Sequence, residues 1–280
     1  MLIELAVGDA YGAGFEYAER AWVEQHNTLD RYVLHPRHNI APGSYTDDTQ
    51  MTLAIAEIMV SGVPWTKETL AEKFVEVFKR DPREGYAGSF YRFLSRVRDG
   101  TQFLREIRPD SDKSGAAMRA APIGLYTTID EVIEKATLQA ELTHNTFDGV
   151  NAAVAAALMA HYFIYRLGPK QQLGRFLEQH VPGRWAERWR GPVKAKGWMS
   201  VRAAITALLD HSRMSDILQA CIAFTGDVDT VATIALAAGS WSVEIKQDLP
   251  GQLVQNLEQG PYGREYLLQL DAQLTALKRA

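Results

Sequence analysis

Cysteine is nearly missing from this 280-residue sequence, with Cys221 its one example. An intramolecular disulfide is thereby excluded, and the composition suits a reducing compartment such as the cytoplasm. Cys221 lies in the apolar run 217–224, where a buried, inert thiol is a better reading than a nucleophile. Charge imbalance is also lacking: 30 Lys and Arg face 34 Asp and Glu, a formal net charge of −4. Nothing global therefore marks nucleic acid or an anionic membrane as the main partner. The start, residues 1–7, has no basic region, and Asp9 and Glu16 interrupt it early, so it does not read as a signal peptide. The longest apolar segment, 152–165, is too short to span a bilayer and contains His161, so a buried core helix is expected. No series of alternating strands, no fixed-period repeat and no linker divides the chain.

What is present is ordinary for a soluble globular protein, 46% hydrophobic and 23% charged. The length suits one large domain, 1–280, with a sizeable core. About a dozen helical segments follow from apolar spacing, among them 2–17, 47–60, 65–79, 129–142, 148–167, 200–209, 214–224, 231–240 and 264–277. The fold class is all-α, a single domain built on small-residue helices. Gly8, Gly12 and Gly14 each weaken the first helix by about 1 kcal/mol relative to Ala. Close packing against another element is the simplest compensation. Residues 180–198 are irregular, with five cationic side chains and Trp185, Trp189 and Trp198. They read as a solvated loop with inward tryptophans, against the alternative of a surface for phosphate or an acidic partner.

The chemistry concentrates in Tyr45-Thr46-Asp47-Asp48-Thr49-Gln50, directly before an apolar helix. Thr and Asp cap helices because their oxygens accept the unpaired first-turn N–H groups. One oxygen suffices for that, and here four oxygen-bearing side chains stand in a row. The pattern returns as Gly226-Asp227-Val228-Asp229-Thr230, again opening an apolar helix. Two such clusters leave a cap and an all-oxygen site for Mg²⁺ or Mn²⁺ as competing readings. Glu16, ending an apolar stretch, is either a functional acid or a solvated helix end. Ser114-Gly115 before an Ala-rich run offers backbone N–H groups suited to phosphate, or is a plain loop-to-helix junction. His144 sits in the turn 143–145 between two helices, where capping or packing is the ordinary role.

These motifs in this order resemble the ADP-ribosylglycohydrolase family. The likeness runs through Gly8-Asp9-Ala-Tyr-Gly12 with Glu16, Gly43-Ser-Tyr-Thr-Asp-Asp-Thr-Gln50, Gly85-Tyr86-Ala-Gly88, Ser114 to Arg119 with Pro122-Ile-Gly124, Thr143-His144 and Gly226 to Thr230. The resemblance implies an orthogonal helical bundle. It implies that Thr46, Asp47, Asp48, Asp227, Asp229 and Thr230 hold two divalent cations, Mg²⁺ or Mn²⁺. It also implies that Glu16 or Asp48 acts as general base, and that Gly88, Ser114, Gly115 and His144 line an ADP-ribose groove. The implied activity is removal of ADP-ribose from a modified side chain, arginine first, by a cytoplasmic monomer whose substrate is an ADP-ribosylated protein or small molecule. ADP-ribosyl-serine, O-acetyl-ADP-ribose, ADP-ribosylated nucleic acid and a non-cleaving ADP-ribose-binding module are the alternatives. Three positions depart from the family pattern: Thr225 replaces a glycine, Lys113-Ser114 replaces Gly-Asn, and Ala87 replaces the last glycine of Gly-Tyr-Gly.

Overall fold

A computed structural model describes residues 1–278. The first helices are α1 (Leu2–Gly12), α2 (Arg20–His26), α3 (Asp47–Ser61), α4 (Lys67–Arg80), α5 (Gly88–Arg96) and α6 (Gly100–Glu106). Two 3₁₀ turns, Ser114–Ala116 and Ala121–Leu125, lead to α7 (Ile129–Glu141) and α8 (Phe147–Ile164). Then come α9 (Leu173–His180), α10 (Gly197–Asp210), α11 (Met214–Ala223), α12 (Val228–Gly239), α13 (Gly251–Gln255) and α14 (Arg264–Leu277). Among the described residues there are no strands, only four isolated bridges between loops.

A helix that is apolar all round belongs in the interior. α12 is buried along its whole length, and α1 is buried except at Glu4. They pack on each other backbone to backbone, because a Cβ on Gly8 would fall 2.8 Å from the Ala232 carbonyl carbon. The glycines of α1 are thus used for close approach, as their clustering suggested. One apolar cluster continues from this pair through α3, α8 and α10 to Leu274 in α14. Outer helices carry local signals instead: Thr66 caps α4 by accepting from the Thr69 N–H, and Thr128 with Glu131 forms a capping box on α7.

Several boundaries differ from the sequence reading for physical reasons. α1 stops at Gly12 and the chain turns tightly through residues 13–18, because Gly12 and Gly14 press against Asp229 and Val33. α6 and α9 have seven and eight residues, too few for apolar spacing to register. Asp99 caps α6 by accepting from the Gln102 N–H. α8 begins at its Thr146 cap and reaches 18 residues, apolar and long enough for a membrane span on those criteria. However, 78% of it is buried inside this fold, so it is a core helix here.

The starts of α3 and α12, the turn after α1, the 3₁₀ turn at Ser114 and the turn before α8 all face one cleft.

Candidate metal and ligand site

Asp9, fully buried in α1, organises the first acid cluster. Its two oxygens accept from Thr46 N–H (3.0 Å), Thr46 Oγ1 (2.7 Å), Thr49 N–H (2.9 Å) and Thr49 Oγ1 (2.6 Å). The first turn of α3 is thereby capped from another helix, and neither hydroxyl caps its own chain. Thr46 sits behind the cleft wall, while Asp47 and Asp48 line the cleft. Gly85, at φ +101°, lies so near that a Cβ on it would meet Asp47 Oδ1 at 2.2 Å.

The second cluster arrives from the opposite side. Tyr17 N–H donates to the Gly226 carbonyl (2.8 Å), and His35 Nε2 lies 2.9 Å from the Glu16 carbonyl. These contacts fasten the turn carrying Glu16 beside the start of α12. Glu16, Asp227 and Asp229 offer oxygens that all lie within 4.8 Å of one another. Thr230 lines the same cleft, and its N–H donates to Asp229 Oδ1 (2.9 Å).

Burial first, then mutual repulsion, pushes Asp47, Asp48 and Asp229 well above the usual carboxylate range. Burial, Asp227 and Asp9 raise Glu16 to about 8. Burial also raises Asp227 and Asp9, against the hydrogen bonds that each accepts. Among the described residues no Lys, Arg or His forms an ion pair with any of these six acids. Asp48 Oδ1 is buried without any hydrogen-bond partner. Carboxylates are kept in such a place when a cation coordinates them, and an all-oxygen set suits a hard divalent ion. The residues present fit a metal site.

Beyond the acids the cleft, about 1000 Å³, extends along Ser114, Gly115, His144, Lys113, Phe90 and Phe93. Gly88 opens α5 at the rim, exposed, between the lining residues Ala87 and Ser89. His144 is buried, and burial, Arg119 and Lys113 push its imidazole down to about 3, so it is neutral at ordinary pH.

The segment 180–198 is the solvated basic loop expected, with Arg184, Arg188, Arg190 and Lys194 exposed, and its backbone also straps the two halves of the site together. Val193 N–H donates to the Thr225 carbonyl, and the Val193 carbonyl accepts from Asp227 N–H. A few residues on, Lys196 pairs with Asp112, and Gly197 N–H donates to the Asp112 carbonyl, beside Ser114. Trp185 is buried, as the sequence suggested, and Trp189 and Trp198 are partly so. The strap leaves Thr225 at φ +65° and Gly226 at φ +95°, the left-handed region that glycine favours.

Asp9, Gly85, Val193 and His35 were not assigned roles from the sequence. Asp9 and Gly85 stand inside motifs that were read, so a signal existed. Val193 acts through its backbone and His35 through its ring against the Glu16 carbonyl, both in irregular loops, which leave no such signal.

The ADP-ribosylglycohydrolase family profile matches residues 1–280. The ADP-ribosyl-[dinitrogen reductase] glycohydrolase of Rhodospirillum rubrum is 27% identical over 96% of this chain and 92% of its own. ADP-ribosylhydrolase ARH3 of Xenopus tropicalis is 30% identical over 63% of this chain. The chain spans 53% of that relative's length and 38% of the mouse ARH3. The ADP-ribosylarginine hydrolase Tri1 of Pseudomonas putida is 23% identical over 84% of the chain. A solved ADP-ribosylglycohydrolase-related protein complex shares the fold, with TM-score 0.74 and 22% identity, over 99% of this chain and 95% of the other.

Proposed function

Because this chain belongs to the ADP-ribosylglycohydrolase family, we propose that it is a metal-dependent hydrolase releasing ADP-ribose from a modified side chain, arginine first. The observation that carries this reading is Asp48 Oδ1, buried and unpartnered in a cleft it shares with Glu16, Asp47, Asp227 and Asp229, none of which forms an ion pair among the described residues.

Asp47, Asp48, Asp227, Asp229 and Thr230 would hold two divalent cations, Mg²⁺ or Mn²⁺. Thr46 would add its hydroxyl oxygen, which keeps a lone pair while donating to Asp9. When bound, such cations supply charge that orients sugar hydroxyls and lowers the pKa of a nearby water. The chain's own groups do the rest. Cleavage at the anomeric carbon passes through an oxocarbenium-like state, which the surrounding carboxylates favour electrostatically. Glu16, raised to about 8 without metal by burial, Asp227 and Asp9, would serve as base once its proton is displaced on metal binding, with Asp48 the other candidate base. Gly115 and Ser114 offer a close backbone wall, Gly88 the rim and His144 a polar ring edge to the nucleotide sugar. The arginine linkage draws on the name of the Pseudomonas putida relative. We place the enzyme in the cytoplasm as a monomer acting on an ADP-ribosylated protein or small molecule, with the buried Cys221 thiol in support of a reducing setting.

The test is release of free ADP-ribose from ADP-ribosyl-arginine and ADP-ribosyl-serine peptides, with Mg²⁺, with Mn²⁺ and with chelator. Release from the arginine peptide that chelator abolishes is expected. Release from the serine peptide alone would move the linkage, and ADP-ribose binding without any turnover would overturn the hydrolase.

A further inference from the structure

Along the cleft wall runs a line of buried hydrogen bonds to which the proposed chemistry gives no role. Arg119 is 1% exposed and has no carboxylate partner among the described residues. It donates through Nε to Gln139 Oε1 (2.7 Å), and through Nη2 to the Gln139 carbonyl (3.1 Å) and to Thr143 Oγ1 (2.9 Å). Phe74 supports the guanidinium face, 4.5 Å from its ring centroid. Thr143 Oγ1 in turn lies 2.7 Å from His144 Nδ1.

The direction of each bond follows from the donors available. A guanidinium only donates, so the Thr143 hydroxyl accepts from Arg119 and keeps one proton to give. His144 Nδ1 is the one acceptor paired with that hydroxyl among the described residues. A proton on Nδ1 would aim two donors at one oxygen and strand a buried O–H, an arrangement that buried groups avoid. The imidazole proton therefore sits on Nε2. That edge of the ring faces the cleft wall at Gly115: a Cβ there would stand 3.1 Å from Cε1 and 3.3 Å from Nε2. Nε2 has no protein partner among the described residues, and both residues line the cleft.

We propose that Arg119, acting through Thr143, is a positioning residue that locks His144 as its Nε2–H tautomer, so that His144 meets the ligand as a neutral hydrogen-bond donor and never as a base. The recipient is an acceptor oxygen, on phosphate or on ribose, of the bound nucleotide sugar. That recipient rests on the ADP-ribose reading above, whereas the tautomer rests on the protein alone.

The experiment is ¹⁵N NMR of the histidine rings in the full chain with Mg²⁺ present, the His144 signals being assigned as those lost in His144→Gln. An unprotonated Nδ1 and a protonated Nε2 are expected in the wild type. Thr143→Val, which keeps the shape and removes the hydroxyl, should mix the tautomers and weaken ADP-ribose binding about tenfold, the loss of one oriented hydrogen bond. Thr143→Ser should restore both, which packing loss alone would not, and it keeps the test alive if the valine variant does not fold. A protonated Nδ1 in the wild type, or an unchanged tautomer in Thr143→Val, overturns the proposal. An Nε2–H signal in a protein that binds no ADP-ribose would overturn the function reading and leave the positioning intact.

Discussion

A Cβ placed on Gly12 would stand 2.3 Å from the Cα of Asp229. The two residues lie far apart in the sequence, yet the backbones of α1 and α12 touch where Asp229, a proposed metal ligand, stands in the first turn of its helix. The glycine thus sets how deep Asp229 sits beside Glu16 and Asp227.

Gly12→Ala must push the two helices apart, because the obstructing atoms are backbone and cannot rotate away. Overpacking of this kind costs about 1–3 kcal/mol. Thermal denaturation should show that loss, and turnover should fall further than stability explains because Asp229 moves with its helix. Full activity in the folded variant would contradict the account.

Asp9→Asn replaces one of two acceptor oxygens with an NH₂ group facing donors that are already committed. A loss of roughly 1.5–3 kcal/mol is expected, the range for hydrogen bonds to a charged group. Urea denaturation checks it, and a neutral effect would show that Asp9 does not hold the start of α3.

Raised carboxyl pKa values also fix the sign of a pH dependence. The folded protein without metal holds protons on Glu16 up to about 8, while the unfolded chain releases them near the ordinary value of 4.5. Stability from this group is full below the unfolded value and is lost as pH rises through 8. Metal binding displaces those protons. The gain in melting temperature on adding Mg²⁺ or Mn²⁺ should therefore be larger at pH 8 than at pH 6, read by calorimetry against chelator. A gain independent of pH would count against the acids as the binding site.

Asp48→Asn removes an acid whose ionisation burial opposes. In chelator at pH 8 the variant should be more stable than wild type, read by denaturant midpoint. Its metal-induced gain should vanish. Combined with Asp229→Asn it should abolish turnover while circular dichroism shows the helices intact, and wild-type-like activity in the double variant would sink the mechanism.

Thr225 occupies φ +65°, a left-handed conformation that costs a β-branched residue about 1–2 kcal/mol. Thr225→Gly, which restores the family's usual residue, should raise stability by about 1 kcal/mol, measured by denaturant midpoint. A loss of stability would mean that the buried threonine side chain contributes more than its backbone strain removes.

How much was legible divides along the range of the forces involved. The α14 span 264–277, the Thr66 cap and the close packing of the α1 glycines follow from local pattern. The convergence of Asp47, Asp48, Asp227, Asp229 and Glu16 on one cleft was only one of two open readings, the other being helix capping, and it was the family resemblance that implied it. The exposed charges and inward tryptophans of the basic loop were readable, but its strapping of the site was not, because that is done by the Val193 and Gly197 backbone.

The sequence by itself determined the helices and the inventory of oxygens, since capping, apolar spacing and charge act within a few residues. Only the tertiary structure decided which oxygens remain free. Thr46 and Thr49 resemble Thr230 in the sequence, but their hydroxyls are both committed to Asp9, whereas Asp48 Oδ1 is left without a partner. That allocation depends on hydrogen bonds between helices far apart in the chain, and short-range pattern carries no record of it.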